Sequence, residues 1–229
     1  MKINNSIDII IFQNQDNLSR FVDYSKYKNK SKIISGSGLN TKEFKTKDGF
    51  NKNIKIIFVG RLMREKGIYE YLDIAEKFKG RDNLRFYIAG KPDFGNKSSI
   101  NEIEFKELQN NPDVIYLGEI DVQKELANYD LLLQTSHHEG FSRILIECIY
   151  AGVFCLANNI HGMKEIIDKT KFGILINDNN LNQYEREINN FLINKDNISS
   201  DFAKNIILSN YSLDAISKQF EEIYYELIK

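Results

Sequence analysis

The 229-residue chain is long enough for one large domain, or for one domain with an appendage, and its 42% hydrophobic and 28% charged content excludes a disordered chain. A net charge of −1 excludes a nucleic-acid binder held by bulk electrostatics. The two cysteines, Cys148 and Cys155, fall on different predicted elements and read as reduced core thiols, not as a disulfide or a metal pair.

No apolar run approaches the ~20 residues that span a bilayer. The amino-terminal stretch M-K-I-N-N-S-I-D-I-I-I-F has too short an apolar core, interrupted by Asp8, to read as a signal peptide. Residues 7–12 read as a strand, 17–24 as a short helix, and 32–35 as a second strand leading into Gly36-Ser37-Gly38-Leu39-Asn40. The run 26–32 is basic and reads as solvated surface, with a membrane-facing patch as the second reading. Residues 41–53 are polar, contain Gly49 and lack periodicity, so they read as a linker at a domain boundary.

From Ile54 onward the pattern is regular. Strands are predicted over 54–59, 84–89, 114–117, 130–134, 153–157 and 173–176. Helices are predicted between them: 67–78, with Tyr71, Leu72, Ala75 and Phe78 on one face, then 100–108, 122–127, one starting near Ser142 or Arg143, and one around 164–167. Strands alternating with helices predict an α/β fold, a Rossmann-like doubly wound parallel sheet that binds ligands beyond the carboxyl ends of its strands. Residues 181–193, 197–208 and 212–228 read as closing helices.

Chemistry concentrates in 136–152, S-H-H-E-G-F-S-R-I-L-I-E-C-I-Y-A-G. A polar loop follows a buried strand and enters a helix, which aims free backbone N–H groups and the positive end of the helix dipole at one point, an anion site. Glu139 stands in the loop and Glu147 about one turn inside the helix. Two carboxylates beside a phosphate-seeking helix start suit a ligand with both phosphate and hydroxyls, because a carboxylate accepts bonds from two hydroxyls. Structurally, Glu139 is also explained as a charge complementing the dipole, and Glu147 as a solvent-facing helix residue.

Upstream, Gly60-Arg61-Leu62-Met63-Arg64-Glu65-Lys66-Gly67 follows the first strand of the regular region. Gly60 permits a sharp turn. Arg61 offers phosphate a planar fork and Lys66 a mobile point charge. On spacing alone, both read equally well as solvated loop cations. Gly90-Lys91-Pro92-Asp93 and Gly118-Glu119-Ile120 end the next two strands and are turn chemistry first. Asp93-Phe94-Gly95 spells a kinase triplet without its companions, and no P-loop or G-x-G-x-x-G follows any strand, which counts against a kinase, a P-loop enzyme or a dinucleotide-dependent oxidoreductase. His137 and His138 read as loop histidines, since metal binding needs further ligands at suitable spacing.

Together, E-G-F-S-R-I-L-I-E, Ala151-Gly152 and G-R-L-x-x-E-K-G resemble the retaining family-4, or group 1, glycosyltransferases with their E-x7-E motif. The likeness runs from about Ile7 to the carboxyl terminus. The family commonly has A-x-A-x-G where this chain has C-I-Y-A-G, and Gly-Leu or Pro-x in place of Ser142-Arg143. The resemblance implies the GT-B fold, two Rossmann-like domains with the active site between them, of which this chain would supply the carboxyl-terminal, donor-binding half. Residues 1–40 would be the end of the acceptor domain, 41–53 the linker, 54–209 the nucleotide-sugar-binding domain, and 210–229 a helix crossing back. Roughly 150 or more residues would precede them.

By the same resemblance, Glu139 contacts the donor sugar as the catalytic residue, Glu147 binds the ribose, and Arg61 and Lys66 bind the diphosphate. Backbone amides of Phe141, Ser142 and Arg143, beside Gly140, meet sugar and phosphate. Gly90, Lys91 and Ile120 wrap the nucleotide base, and Gly60 is a further donor-binding residue. No metal or cofactor is implied, since helix dipole, Arg and Lys stabilise the leaving diphosphate. The activity implied is retaining transfer of a hexose or N-acetylhexosamine from a UDP-sugar to a glycan or lipid-linked acceptor in surface polysaccharide assembly. A cytoplasmic setting follows, with contact to the inner membrane face. This chain alone is expected to transfer sugar poorly without an acceptor lobe, which a separate chain could supply. The rival is a non-catalytic nucleotide-sugar-binding or docking subunit of a split enzyme.

Overall fold

The computed structural model describes residues 7–21 and 24–228. Six parallel strands form the main sheet: β3 (Ile54–Val59), β4 (Leu84–Ala89), β5 (Val114–Gly118), β6 (Leu131–Gln134), β7 (Phe154–Asn158) and β8 (Gly173–Ile176). Their spatial order is β5-β4-β3-β6-β7-β8. The order reverses between β3 and β6, and a crevice opens at such a switch point beyond the carboxyl ends of the strands. β6 and β7 are buried at every position, because helices cover both faces of the sheet.

The connecting helices are α3 (Ile68–Lys77), α4 (Glu102–Gln109), α5 (Val122–Glu125), α6 (Arg143–Ala151) and α7 (His161–Thr170). α3 turns Ile68, Tyr71, Ile74 and Ala75 onto the sheet. The Tyr71 hydroxyl is buried there and donates to the carbonyl of Tyr87 at 2.7 Å. α8 (Leu181–Asn194) and α9 (Asp201–Tyr211) close the domain. Phe154, Phe172 and Phe191 form an aromatic cluster, and Phe50 of the linker packs edge-on against Phe191 with ring centroids 4.9 Å apart.

That linker lacks regular periodicity yet is firmly held. Asp130, fully buried just before β6, accepts hydrogen bonds from Lys47 Nζ, from the Asn51 amide at 3.0 Å and from the Lys55 amide at 2.9 Å. Burial alone would push this carboxyl up; the donors outweigh it and hold it below the ordinary aspartate range.

Preceding the linker, β1 (Ile10–Phe12) and β2 (Ser31–Ile33) pair in parallel as a separate two-stranded sheet, with α1 (Gln15–Ser19) and α2 (Tyr24–Tyr27) between them. The last helix, α10 (Leu213–Ile228), returns to them: Ile216 and Ile223 pack with Ile34, Ile9 and Phe220 in a small core of their own. The two passages of the chain are tied together, the Leu39 amide donating to the Tyr211 carbonyl and the Leu213 amide to the Leu39 carbonyl.

Several helix boundaries differ from expectation, among them those of α1, α7 and α9. The helix expected over 17–24 is α1 and α2; α1 begins earlier because Asn14 caps it, its side chain accepting from the Asn17 amide at 2.7 Å, and residues 22–23 lie outside the described residues. α7 begins at His161, with no side-chain cap to announce it. α9 begins at Asp201 because 195–197 form a 3-10 turn instead.

Candidate active site

Three loops leave the carboxyl ends of β3, β4 and β5 and line one cavity of ≈ 510 Å³ with Gly60, Arg61, Gly90, Lys91, Glu119 and Ile120. The five candidates predicted there from separate stretches, Gly60, Arg61, Gly90, Lys91 and Ile120, are brought together. Gly90 is required at this point: its φ is +133°, and a Cβ would lie 1.8 Å from the Gly60 carbonyl oxygen. The cations at the rim hold local carboxylates, Arg61 facing Asp93 at 3.3 Å and Lys91 facing Glu119 at 2.9 Å. These exposed pairs cost little to part, exposed ion pairs contributing about 0–1 kcal/mol.

Lys66 is set against the end of β6 by its neighbour. Gly67 has φ +75° and packs so tightly that a Cβ would lie 2.2 Å from the Thr135 carbonyl oxygen. Lys66 Nζ therefore reaches Glu139, 2.7 Å from Oε1. The same oxygen accepts from Ser136 Oγ at 3.1 Å and from Gln134 Nε2 at 3.3 Å. Glu139 Oε2 has no partner among the described residues, so one carboxylate oxygen is fixed by three donors and the other is open.

Glu139 and Gly140 line a second cavity of ≈ 450 Å³, between α1 and the start of α7. The chain has three histidines, and His137, His138 and His161 all line this cavity. His137 is not a free loop histidine: its Nε2 lies 2.7 Å from Glu70 on α3.

α6 opens beside Glu139. Ser142 is its N-cap position, but no side chain caps its first turn, and the buried Ser142 hydroxyl has no partner among the described residues. Buried polar atoms are almost always satisfied, yet Ser142 Oγ, Gln134 Oε1 and Glu70 Oε2, all on residues around Glu139 and His137, are orphaned.

Phe141 and Arg143 border a third, small cavity with Gly36, Ser37 and Gly38. Glu147 borders none of the three cavities. Arg143 Nε meets it at 2.8 Å across one helical turn, and only 8% of the Glu147 side chain is exposed. Burial raises the Glu147 carboxyl above the ordinary range, and Arg143 only partly opposes that rise.

Sequence reasoning passed over Gln134, Ser136 and Asn158. Asn158 is buried at the end of β7; its amide donates to the carbonyls of Thr135 and Ser136, and its oxygen accepts from the Tyr184 hydroxyl. It thereby fixes the backbone that carries Glu139. An amide side chain ending an otherwise apolar strand was the available signal for both Gln134 and Asn158. Among the described residues, no group of three or more His, Cys, Asp or Glu side chains could hold a metal ion. No helix among them is long and apolar enough to cross a membrane.

A sheet in this order, with cations, carboxylates and an uncapped helix start at its carboxyl edge, defines a Rossmann-like ligand-binding lobe. Its family follows from the sequence: the family described as glycosyl transferases group 1 matches residues 40–208, and the chain belongs to that family. It is 27% identical over 177 residues to a 41.2 kDa protein of the cps region in Klebsiella pneumoniae, covering 76% of this chain and 46% of that one. It is 23% identical over 184 residues to the capsular polysaccharide biosynthesis glycosyltransferase CapM of Staphylococcus aureus, covering 78% of this chain and 48% of CapM. The chain spans about half the length of these curated relatives. Among solved structures, Anabaena HepE in complex with UDP superimposes with a TM-score of 0.80 at 19% identity, covering 96% of this chain and 64% of HepE, which establishes the GT-B type of fold.

Proposed function

We propose that this chain is the donor-binding half of a retaining glycosyltransferase that moves a hexose or N-acetylhexosamine from a UDP-sugar to a glycan or lipid-linked acceptor in surface polysaccharide assembly. The observation that carries the reading is the pairing of Lys66 with Glu139 beside the uncapped start of α6. An ammonium and free helix amides suit a diphosphate, and a carboxylate with one open oxygen suits sugar hydroxyls. The cavity holding Arg61, Lys91 and Ile120 has room and one hydrophobic wall for a base. The UDP bound to HepE and the capsular role in the name of CapM support the same substrate class. In this reading Glu147 takes the ribose hydroxyls, which requires Arg143 to yield one of its bonds.

Isothermal calorimetry with UDP, GDP and ADP tests the site. UDP should bind with a dissociation constant between micromolar and millimolar, roughly −8 to −4 kcal/mol. No heat from any of the three at millimolar concentration would sink the proposal.

Donor binding in this scheme needs no divalent cation, because Arg61, Lys66 and the α6 amides supply the positive field. UDP affinity should therefore be the same in EDTA as in Mg²⁺ or Mn²⁺. Binding that disappears on chelation and returns with metal would show the charge balance to be wrong.

A second reading, a non-catalytic docking subunit, rests on the end of α10, where Tyr225 and Ile228 are 67% and 81% exposed. In both readings that face is a candidate contact for an acceptor-side lobe, on the same polypeptide or another.

A further inference from the structure

The loop 139–142 is not held by its own domain alone. Asn14, 96% buried between β1 and α1, donates from its side-chain amide to the Gly140 carbonyl, 126 positions away. Its other side-chain atom, the oxygen, caps α1 by accepting from the Asn17 amide at 2.7 Å. The flanking contacts leave little slack. A Cβ on Gly36 would lie 2.5 Å from the ring of Phe141, and one on Gly162 would lie 2.3 Å from the Glu139 carbonyl oxygen. The Ser142 amide donates to the Gly162 carbonyl at 3.2 Å.

A trans peptide points its C=O and its N–H in opposite directions. With the Gly140 carbonyl drawn to Asn14, the Phe141 N–H of the same peptide is turned away from the amino-terminal unit. That N–H has no partner among the described residues. Gly140 has no Cβ to resist rotation of this peptide, so the orientation depends on what holds the carbonyl.

We infer that Asn14 is a positioning residue for the donor site: it locks the Gly140–Phe141 peptide so that the Phe141 N–H faces the bound diphosphate, and it thereby couples the pose of the β1–α1 unit to donor affinity. The inference rests on the proposed function for the identity of the ligand, but the lock itself is a property of the free chain. Sequence alone gave Asn14 no role, since it lies outside every motif of the donor site.

Asn14→Asp separates its two tasks. Aspartate caps a helix as well as asparagine does, so α1 is kept. Its carboxylate cannot donate, and it faces the Gly140 carbonyl with like partial charge. Thermal unfolding of Asn14→Asp and Asn14→Ala shows how much of any effect is loss of fold. In the free protein, hydrogen exchange over 138–143 should rise at least several-fold in Asn14→Asp, while exchange over 154–158 stays as in the parent chain. Losing one hydrogen bond of ordinary net strength corresponds to about a tenfold change in affinity. Calorimetry should therefore find UDP bound about tenfold more weakly and UMP, which lacks the second phosphate, bound as before. Unchanged exchange over 138–143 overturns the lock whatever the ligand, and equal weakening of UDP and UMP overturns its link to the diphosphate. A parent chain that binds neither nucleotide overturns the proposed function instead, and the exchange result still decides the lock.

Discussion

Asp130→Ala should lower the unfolding free energy by about 3–5 kcal/mol, the usual consequence of removing one member of a buried ion pair. The carboxylate is fully buried and accepts from Lys47 Nζ, from both the backbone and side-chain amides of Asn51, and from the Lys55 amide. Alanine removes the acceptor these donors share and leaves the Lys47 ammonium, only 15% exposed, without its carboxylate. It also releases the linker from the start of β6, the strand that leads to Glu139. The milder change Asp130→Asn keeps an acceptor and should cost less than alanine. Urea unfolding followed by circular dichroism measures the difference as a shift in midpoint at constant slope. A loss below about 1 kcal/mol would mean that the linker is not anchored here. The pH dependence has a definite sign. The folded carboxyl lies below the ordinary value of about 3.9. Its contribution is thus fully present above that ordinary value and is lost as pH falls through the lowered folded one.

Much of this domain was legible because its strands are short apolar runs between turn residues. Ile54–Val59 and Leu84–Ala89 match their expected limits residue for residue, since each is an apolar run interrupted by a single charged residue, Lys55 or Arg85. Charged loops at the carboxyl ends of those strands had to converge once the sheet was parallel, which is why Gly60, Arg61, Gly90, Lys91 and Ile120 share one cavity. What stayed hidden was carried by single hydrogen bonds across long sequence separations. Nothing local to Asp130 marks it as the anchor of a linker some 80 positions earlier, and nothing local to Asn14 marks its bond to Gly140. The pairing of His137 with Glu70 was hidden for the same reason: it joins a loop to a helix face that periodicity describes only as polar. Helix starts were misjudged where the capping signal was absent, as at His161.

Glu139→Gln should lower the transfer rate constant by about 10²–10³ while changing donor affinity little, the range found when one preorganised electrostatic contact to a transition state is removed. One oxygen of Glu139 is already held by Lys66, Ser136 and Gln134, so the side chain is fixed before any ligand arrives. In the proposed reaction the open oxygen accepts from a sugar hydroxyl. As the bond to the diphosphate breaks, positive charge grows on the sugar ring, and a fixed carboxylate stabilises that charge more than it stabilises the neutral ground state. Glutamine keeps the shape and one acceptor but not the charge. Lys66 loses its carboxylate partner in the same variant and becomes a freer cation for the diphosphate, so UDP should bind at least as tightly as before. The fold should be nearly indifferent, because a partly exposed ion pair of this kind contributes about 0–1 kcal/mol. Radiolabelled-sugar transfer, assayed with the acceptor-side lobe present, separates the two effects: a fall in kcat with KM nearly constant marks an interaction made in the transition state. A variant that keeps a tenth or more of the parent rate would remove Glu139 from the chemistry, and would leave the Lys66–Glu139 pair as a device for shaping the loop.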